Sequence, residues 1–232
     1  VFAPFIKQVR DSSHAAYKQF NIGFPYTEAG KEKVVGYEIR GFGSFKSKAT
    51  GTNSTTGAWI ADLSQGGEPA DIRNVYDFMA FYQLNHLRLD AAHSVFVSLG
   101  GTFSDGQVKG IMSHYPEAKA MDCFDNDLAG RIYGIRMAAL LEGIRMNIHK
   151  EDSEIKITIG DKNFDIPNDQ LSIRELRKHV HIRYNVGEWK AAENNKDWND
   201  QLMGKQLEVV PIENKFARDR NLADRREKGV CL

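Results

Sequence analysis

The chain has 232 residues, 41% of them hydrophobic and 27% charged, enough apolar material for one large folded unit or two small ones. Its 31 basic and 31 acidic side chains cancel, so no global field recruits a polyanion, and any nucleic-acid contact must come from local patches. Two distant cysteines, Cys123 and Cys231, exclude a disulfide framework and a cysteine-rich zinc site and fit a reducing cytoplasm; no stretch reads as a signal peptide or a membrane span.

Taken in order, residues 1–24 read as irregular, with a short helix around 14–20. Val34-Val35-Gly36-Tyr37-Glu38-Ile39-Arg40 reads as a strand entering a glycine-punctuated bend, 46–53 as a polar basic loop, and 58–63 as a second strand. This is a small β-rich lobe over 1–66, with Arg40, Lys46 and Lys48 near its turns. Two readings stand for those cations, phosphate contact or plain solvation. A strand at 72–76 leads into a helix over 77–89, where Phe78, Phe81, Tyr82 and Leu87 lie close to helical spacing.

The run at 94–99 is apolar and β-branched and ends in Gly100-Gly101, the pattern of a buried parallel strand with a tight turn. Ser104 or Asp105 caps a helix that Pro116 ends, a strand follows at 118–124, and a long helix at 128–146. Alternating strands and helices imply right-handed crossovers and a parallel sheet flanked by helices, an α/β fold. Beyond it come a hairpin at 154–166, a capping box (Ser172 with Glu175) opening a basic helix at 172–180, a strand at 181–186 and a short helix from 196. The division expected is therefore 1–66, an α/β domain at 67–203 with an insertion at about 150–185, and a charged tail at 204–232.

The chemistry concentrates at Asp122-Cys123-Phe124-Asp125-Asn126-Asp127. Asp125 and Asp127, two residues apart at a strand end, project to one side and suit Mg²⁺, a hard cation with oxygen ligands. The rival reading makes Asp127 the N-cap of the next helix. Arg174, Arg177 and Lys178, with His179, His181 and Arg183 behind them, read as a nucleic-acid patch or as a solvated helix face. His149, His179 and His181 lack further ligands at metal spacing, Ser98 lacks the Gly-x-Ser-x-Gly elbow, and Trp59, Trp189 and Trp198 read as core or edge aromatics. A haloacid-dehalogenase motif would place Thr where Ala129 stands.

The ordered set (a basic β lobe, a strand–helix unit at 72–89, a strand ending in Ser98-Leu99-Gly100-Gly101, and Asp125-Asn126-Asp127-Leu128-Ala129-Gly130) resembles the Toprim fold of bacterial and phage primases and topoisomerases. Lys196-Asp197-Trp198-Asn199-Asp200 is similar to an element of Toprim-like proteins of mobile and conjugative elements, and the resemblance spans roughly 34 to 203. It implies a Glu acting as general acid/base at the end of the first strand, and an Asp-x-Asp pair holding Mg²⁺. Asp77, Gly100, Gly101 and Asp197 are implied as supporting residues.

The first motif is matched by Arg73-Asn74-Val75-Tyr76-Asp77-Phe78, so Arg73 stands where the family has its Glu. Glu68 lies upstream, at the wrong end of the strand to substitute. Arg73 is open to three readings: a partner that silences Asp125 or Asp127, a phosphate fork, or a solvent-facing side chain. The expectation that follows is a cytoplasmic, primase-related protein associated with nucleic acid (DNA foremost) or with replication and transfer proteins. Its phosphoryl-transfer activity is degenerate, with Mg²⁺ binding weak or lost. The alternative is an active Mg²⁺-dependent nucleotidyltransferase.

Overall fold

A computed structural model describes residues 1–10, 20–41, 43, 45–64, 67, 69–74 and 78–204. The chain runs β1 (Lys7–Val9), β2 (Asn21–Thr27), β3 (Val34–Arg40), β4 (Lys46–Lys48), β5 (Ala58–Asp62), β6 (Asp71–Asn74), α1 (Phe78–Asn85), β7 (Ser94–Ser98) and α2 (Asp105–His114). It continues through β8 (Lys119–Asp122), α3 (Leu128–Leu141), β9 (Asn147–Lys150), β10 (Glu154–Ile159), β11 (Lys162–Pro167), α4 (Ile173–His179), β12 (Gly187–Glu188) and α5 (Trp198–Leu202). Nine of the described strands make one sheet in the order β12-β8-β6-β7-β5-β2-β3-β4, with β1 on β2; β11-β10-β9 make a second.

Every residue of β7 is buried, as a strand covered on both faces requires. Successive side chains take opposite faces: Val95 and Val97 enter a core with α2, α3, α4 and the small sheet, while Phe96 enters one with α1, α5, Phe2 and Trp59. Strands β12, β8, β6 and β7 are parallel, and β5 joins β7 antiparallel, so the amino-terminal β-rich region extends the same sheet. This is the expected α/β architecture, with antiparallel pairing in the large sheet confined to the β1–β5 side and the small sheet antiparallel throughout.

Several elements differ from the sequence reading. The stretch read as irregular, 1–24, contains β1 and the start of β2; Pro25 and the buried polar Asn21 disguise β2. The helix expected to reach 146 ends at Leu141, where Glu142 caps it and Gly143 takes a φ of +77°, and the freed chain becomes β9. The strand expected at 181–186 is displaced to Gly187–Glu188, where it pairs with Met121 and Asp122. The helix expected at 14–20 and most of the charged tail lie outside the described residues. Among the described residues, no helix is long and apolar enough to cross a membrane.

Candidate functional site

Strand β8 delivers Asp122 to the carboxyl edge of the parallel strands, the edge where open α/β sheets place their sites. From there Cys123-Phe124-Asp125-Asn126-Asp127 turns into α3. The Asp127 Oδ1 accepts from the Gly130 amide at 2.9 Å, so the N-cap reading is realised. It does not use up the carboxylate, whose Oδ2 faces the Lys196 ammonium at 3.5 Å. Gly130 is required here: a Cβ would lie 2.1 Å from the Asp125 carbonyl oxygen, so only glycine lets the first turn of α3 close onto the acidic turn.

The turn is held almost group by group by the segment that carries β12 and α5. The Trp189 amide donates to the Asp122 carbonyl at 2.8 Å and the Trp198 indole N–H to the Cys123 carbonyl at 3.1 Å. Lys190 Nζ donates to Asp122 Oδ1 at 2.8 Å and to the Phe124 carbonyl at 3.3 Å. Asn126 reaches back: its amide donates to the Lys196 carbonyl at 2.7 Å, and its Nδ2 to the Ala191 and Asn195 carbonyls at 3.0 and 2.8 Å. Asp197, singled out in the sequence, N-caps α5 through Asp200 N at 2.8 Å and so fixes the approach of this segment.

Asp122, Lys190 and Glu188 were not singled out in the sequence. Burial pushes the Asp122 carboxyl above its ordinary range, opposed by Lys190 and by the Phe124 amide that donates to Oδ1 at 2.9 Å. Burial also raises Glu188, whose backbone is in register with Asp122, and the Asp122 charge adds to the rise. The Cys123 thiol is pushed up to about 12 by burial and by Asp122, against Arg73 and Lys190, which makes it an inert core thiol.

Arg73 is only 4% exposed, which rules out the solvent-facing reading. Its Nη2 pairs with Asp71 Oδ2 at 2.7 Å, and its guanidinium lies over the Trp189 ring at 4.9 Å, with Arg88 over the same ring at 5.3 Å. Strand parity explains this. Residues 71 and 73 share the face that packs against α1 and α5, and Arg73 is in register with Met121, short of the acidic turn. Among the described residues, then, its ion pair is with Asp71 and not with Asp125 or Asp127. Asp77 and Glu68 lie outside the described residues.

The basic residues of the lobe converge on a buried acid that the sequence reading passed over. Glu38 is 4% exposed and takes hydrogen bonds from Tyr26 Oη at 3.1 Å and Arg40 Nε at 2.9 Å, with Lys46 Nζ at 3.8 Å. Lys48 lies over the Tyr26 ring at 5.8 Å. Gly100 closes the group with a φ of +71°, and a Cβ there would meet Tyr26 Oη at 1.7 Å. Gly101 also takes a positive φ, +102°. A cavity of about 310 Å³ opens beside Glu38 and Arg40, walled by Phe24, Phe45, Phe78 and Asn199. On α4, Arg174, Arg177 and Lys178 are exposed; Arg177 also donates to the Tyr184 carbonyl at 3.2 Å, and Lys178 pairs with Glu175 at 2.5 Å. Arg131 ties this region to the acidic turn, donating to the Asp169 carbonyl at 2.7 Å and the Asn126 carbonyl at 3.3 Å.

Asp125 and Asp127 offer the carboxylate oxygens that a hard cation such as Mg²⁺ prefers. Among the described residues, no three His, Cys, Asp or Glu side chains come together as a closed metal cage. Residues 75–163, from the residues before α1 to the start of β11, match the family model described as Toprim-like. No curated protein and no solved structure matches the chain. Residues 75–163 are thus similar to a Toprim-like domain, with the acidic turn inside the matched span and Arg73 just ahead of it.

Proposed function

We propose that the protein is a primase-related, nucleic-acid-associated Toprim-like protein whose phosphoryl-transfer activity is degenerate or lost. The observation that carries this reading is that Arg73 is buried, paired with Asp71 and over the Trp189 ring; on this reading it takes the place of the family's general acid/base Glu. Phosphoryl transfer depends on positioning and charge neutralisation, and a buried guanidinium paired with Asp71 supplies neither a base nor a metal ligand. Asp125 and Asp127 would hold Mg²⁺, which when bound supplies Lewis-acid charge to phosphate oxygens. Arg40, Lys46 and Lys48 on the lobe and Arg174, Arg177 and Lys178 on α4 would contact the phosphate backbone, with DNA or replication and transfer proteins of mobile elements as partners. The division into 1–66, 67–203 with the β9–α4 insertion, and 204–232 belongs to the same reading.

The test is fluorescence anisotropy of labelled single- and double-stranded DNA and RNA across a salt series. Binding that weakens linearly with log salt, and by a smaller slope in an Arg174→Ala, Arg177→Ala double variant, is the expected result. No binding at low salt would sink it. The active-enzyme alternative draws on the intact Asp125–Asp127 turn at the strand end. It requires nucleotide incorporation with Mg²⁺ or Mn²⁺ that Asp125→Asn abolishes, whereas the degenerate reading expects none from the native chain.

A further inference from the structure

Three cations line the cleft of about 530 Å³ beside Asp127, namely Arg131, Lys190 and Lys196. Arg131 is engaged with the carbonyls of Asn126 and Asp169, and Lys190 with Asp122 and the Phe124 carbonyl. Lys196 differs in kind. Its side chain is 48% exposed, and its ammonium stands 3.5 Å from Asp127 Oδ2. The backbone beneath it is pinned, because its carbonyl accepts from the Asn126 amide at 2.7 Å and the next residue, Asp197, caps α5. The Asp127 carboxylate is pinned as well, through Oδ1 to Gly130. A fixed acid therefore faces a flexible cation on a fixed stem.

We infer that the Lys196 ammonium is the resident counter-ion of the Asp125–Asp127 turn and that a divalent cation binds there only by displacing it. A compact, strongly hydrated point charge neutralises carboxylates without offering them a coordination shell. A half-exposed pair is also cheap to open, so displacement is a matter of competition and not of unfolding. The inference rests on the carboxylate pair being the cation site named above; it is independent of whether the chain binds nucleic acid.

The experiment is a Mn²⁺ titration, followed by electron paramagnetic resonance and calorimetry without nucleic acid, on the native chain, Lys196→Met, Lys196→Arg and Asp127→Asn. Thermal unfolding of each confirms that it is folded. Lys196→Met is expected to bind Mn²⁺ about tenfold or more tightly than the native chain, about 1.4 kcal/mol. Lys196→Arg is expected to bind no tighter than native, and Asp127→Asn to lose binding. Equal or weaker binding by Lys196→Met, or no binding by any variant, overturns the inference. The anisotropy series decides the nucleic-acid reading separately, so the two can fail apart.

Discussion

The acidic turn carries the same ion pair twice, and the two copies have opposite fates. Asp122 with Lys190 is sealed, the carboxylate side chain 2% exposed and the lysine 27%. Asp127 with Lys196 sits at the surface, 35% and 48% exposed. Both lysines come from the segment around β12 and α5, and the aspartates from the end of β8 and the turn that follows it. Burial alone separates a pair that cannot be opened without leaving an uncompensated charge from one that water and ions can replace. The first is structural because it is dry, and the second is open to chemistry because it is wet.

That contrast can be broken most forcefully at Lys190. Lys190→Met strands the Asp122 carboxylate and frees the Phe124 carbonyl, and is expected to cost about 3–5 kcal/mol of unfolding free energy in a guanidinium titration. A loss below about 1 kcal/mol would show that the two pairs are alike after all.

The pH dependence is the next lever. Between the ordinary Asp value of 3.8 and its higher value in the fold, the native state keeps a proton on Asp122 that the unfolded chain has released. Raising pH through that window therefore favours unfolding, and native stability should fall across it. Asp122→Asn should flatten the decline, and an unchanged slope would assign it elsewhere.

Asp127→Ala should cost about 1 kcal/mol, the worth of an N-cap, with no further loss from the broken surface pair. The smallest effect belongs to Lys196→Met, expected within about 0.5 kcal/mol of native stability by the same titration. A penalty of several kcal/mol there would erase the distinction between the two pairs.

The strands that sit inside the parallel sheet were legible because continuous burial leaves an apolar run, as in Ser94-Val95-Phe96-Val97-Ser98. So was the start of α2, where Ser104 and Gln107 form the reciprocal cap. The Asp125–Asp127 turn was legible as well, and the structure realises its capping role at one oxygen while leaving the other to Lys196. Its neighbours were not. Lys190 beside Trp189 reads like any amphipathic surface pair, and its role exists only because β12 docks on β8. The surroundings of Arg73 were not legible, because its partner is set by strand parity and by an indole that arrives from elsewhere in the chain. Glu38 looked like one acid among basic residues, and only burial shows it organising them.

The lysine and the aspartate of the sealed pair are 68 residues apart in the chain, with α3, the second sheet and α4 between them. Closing so long a loop carries an entropy that short-range contacts do not, and contacts of this kind form late. Docking of the β12–α5 segment is therefore expected to come late in folding, and until it does Asp122, Asp125 and Asp127 have solvent cations in place of Lys190 and Lys196 as their counter-ions.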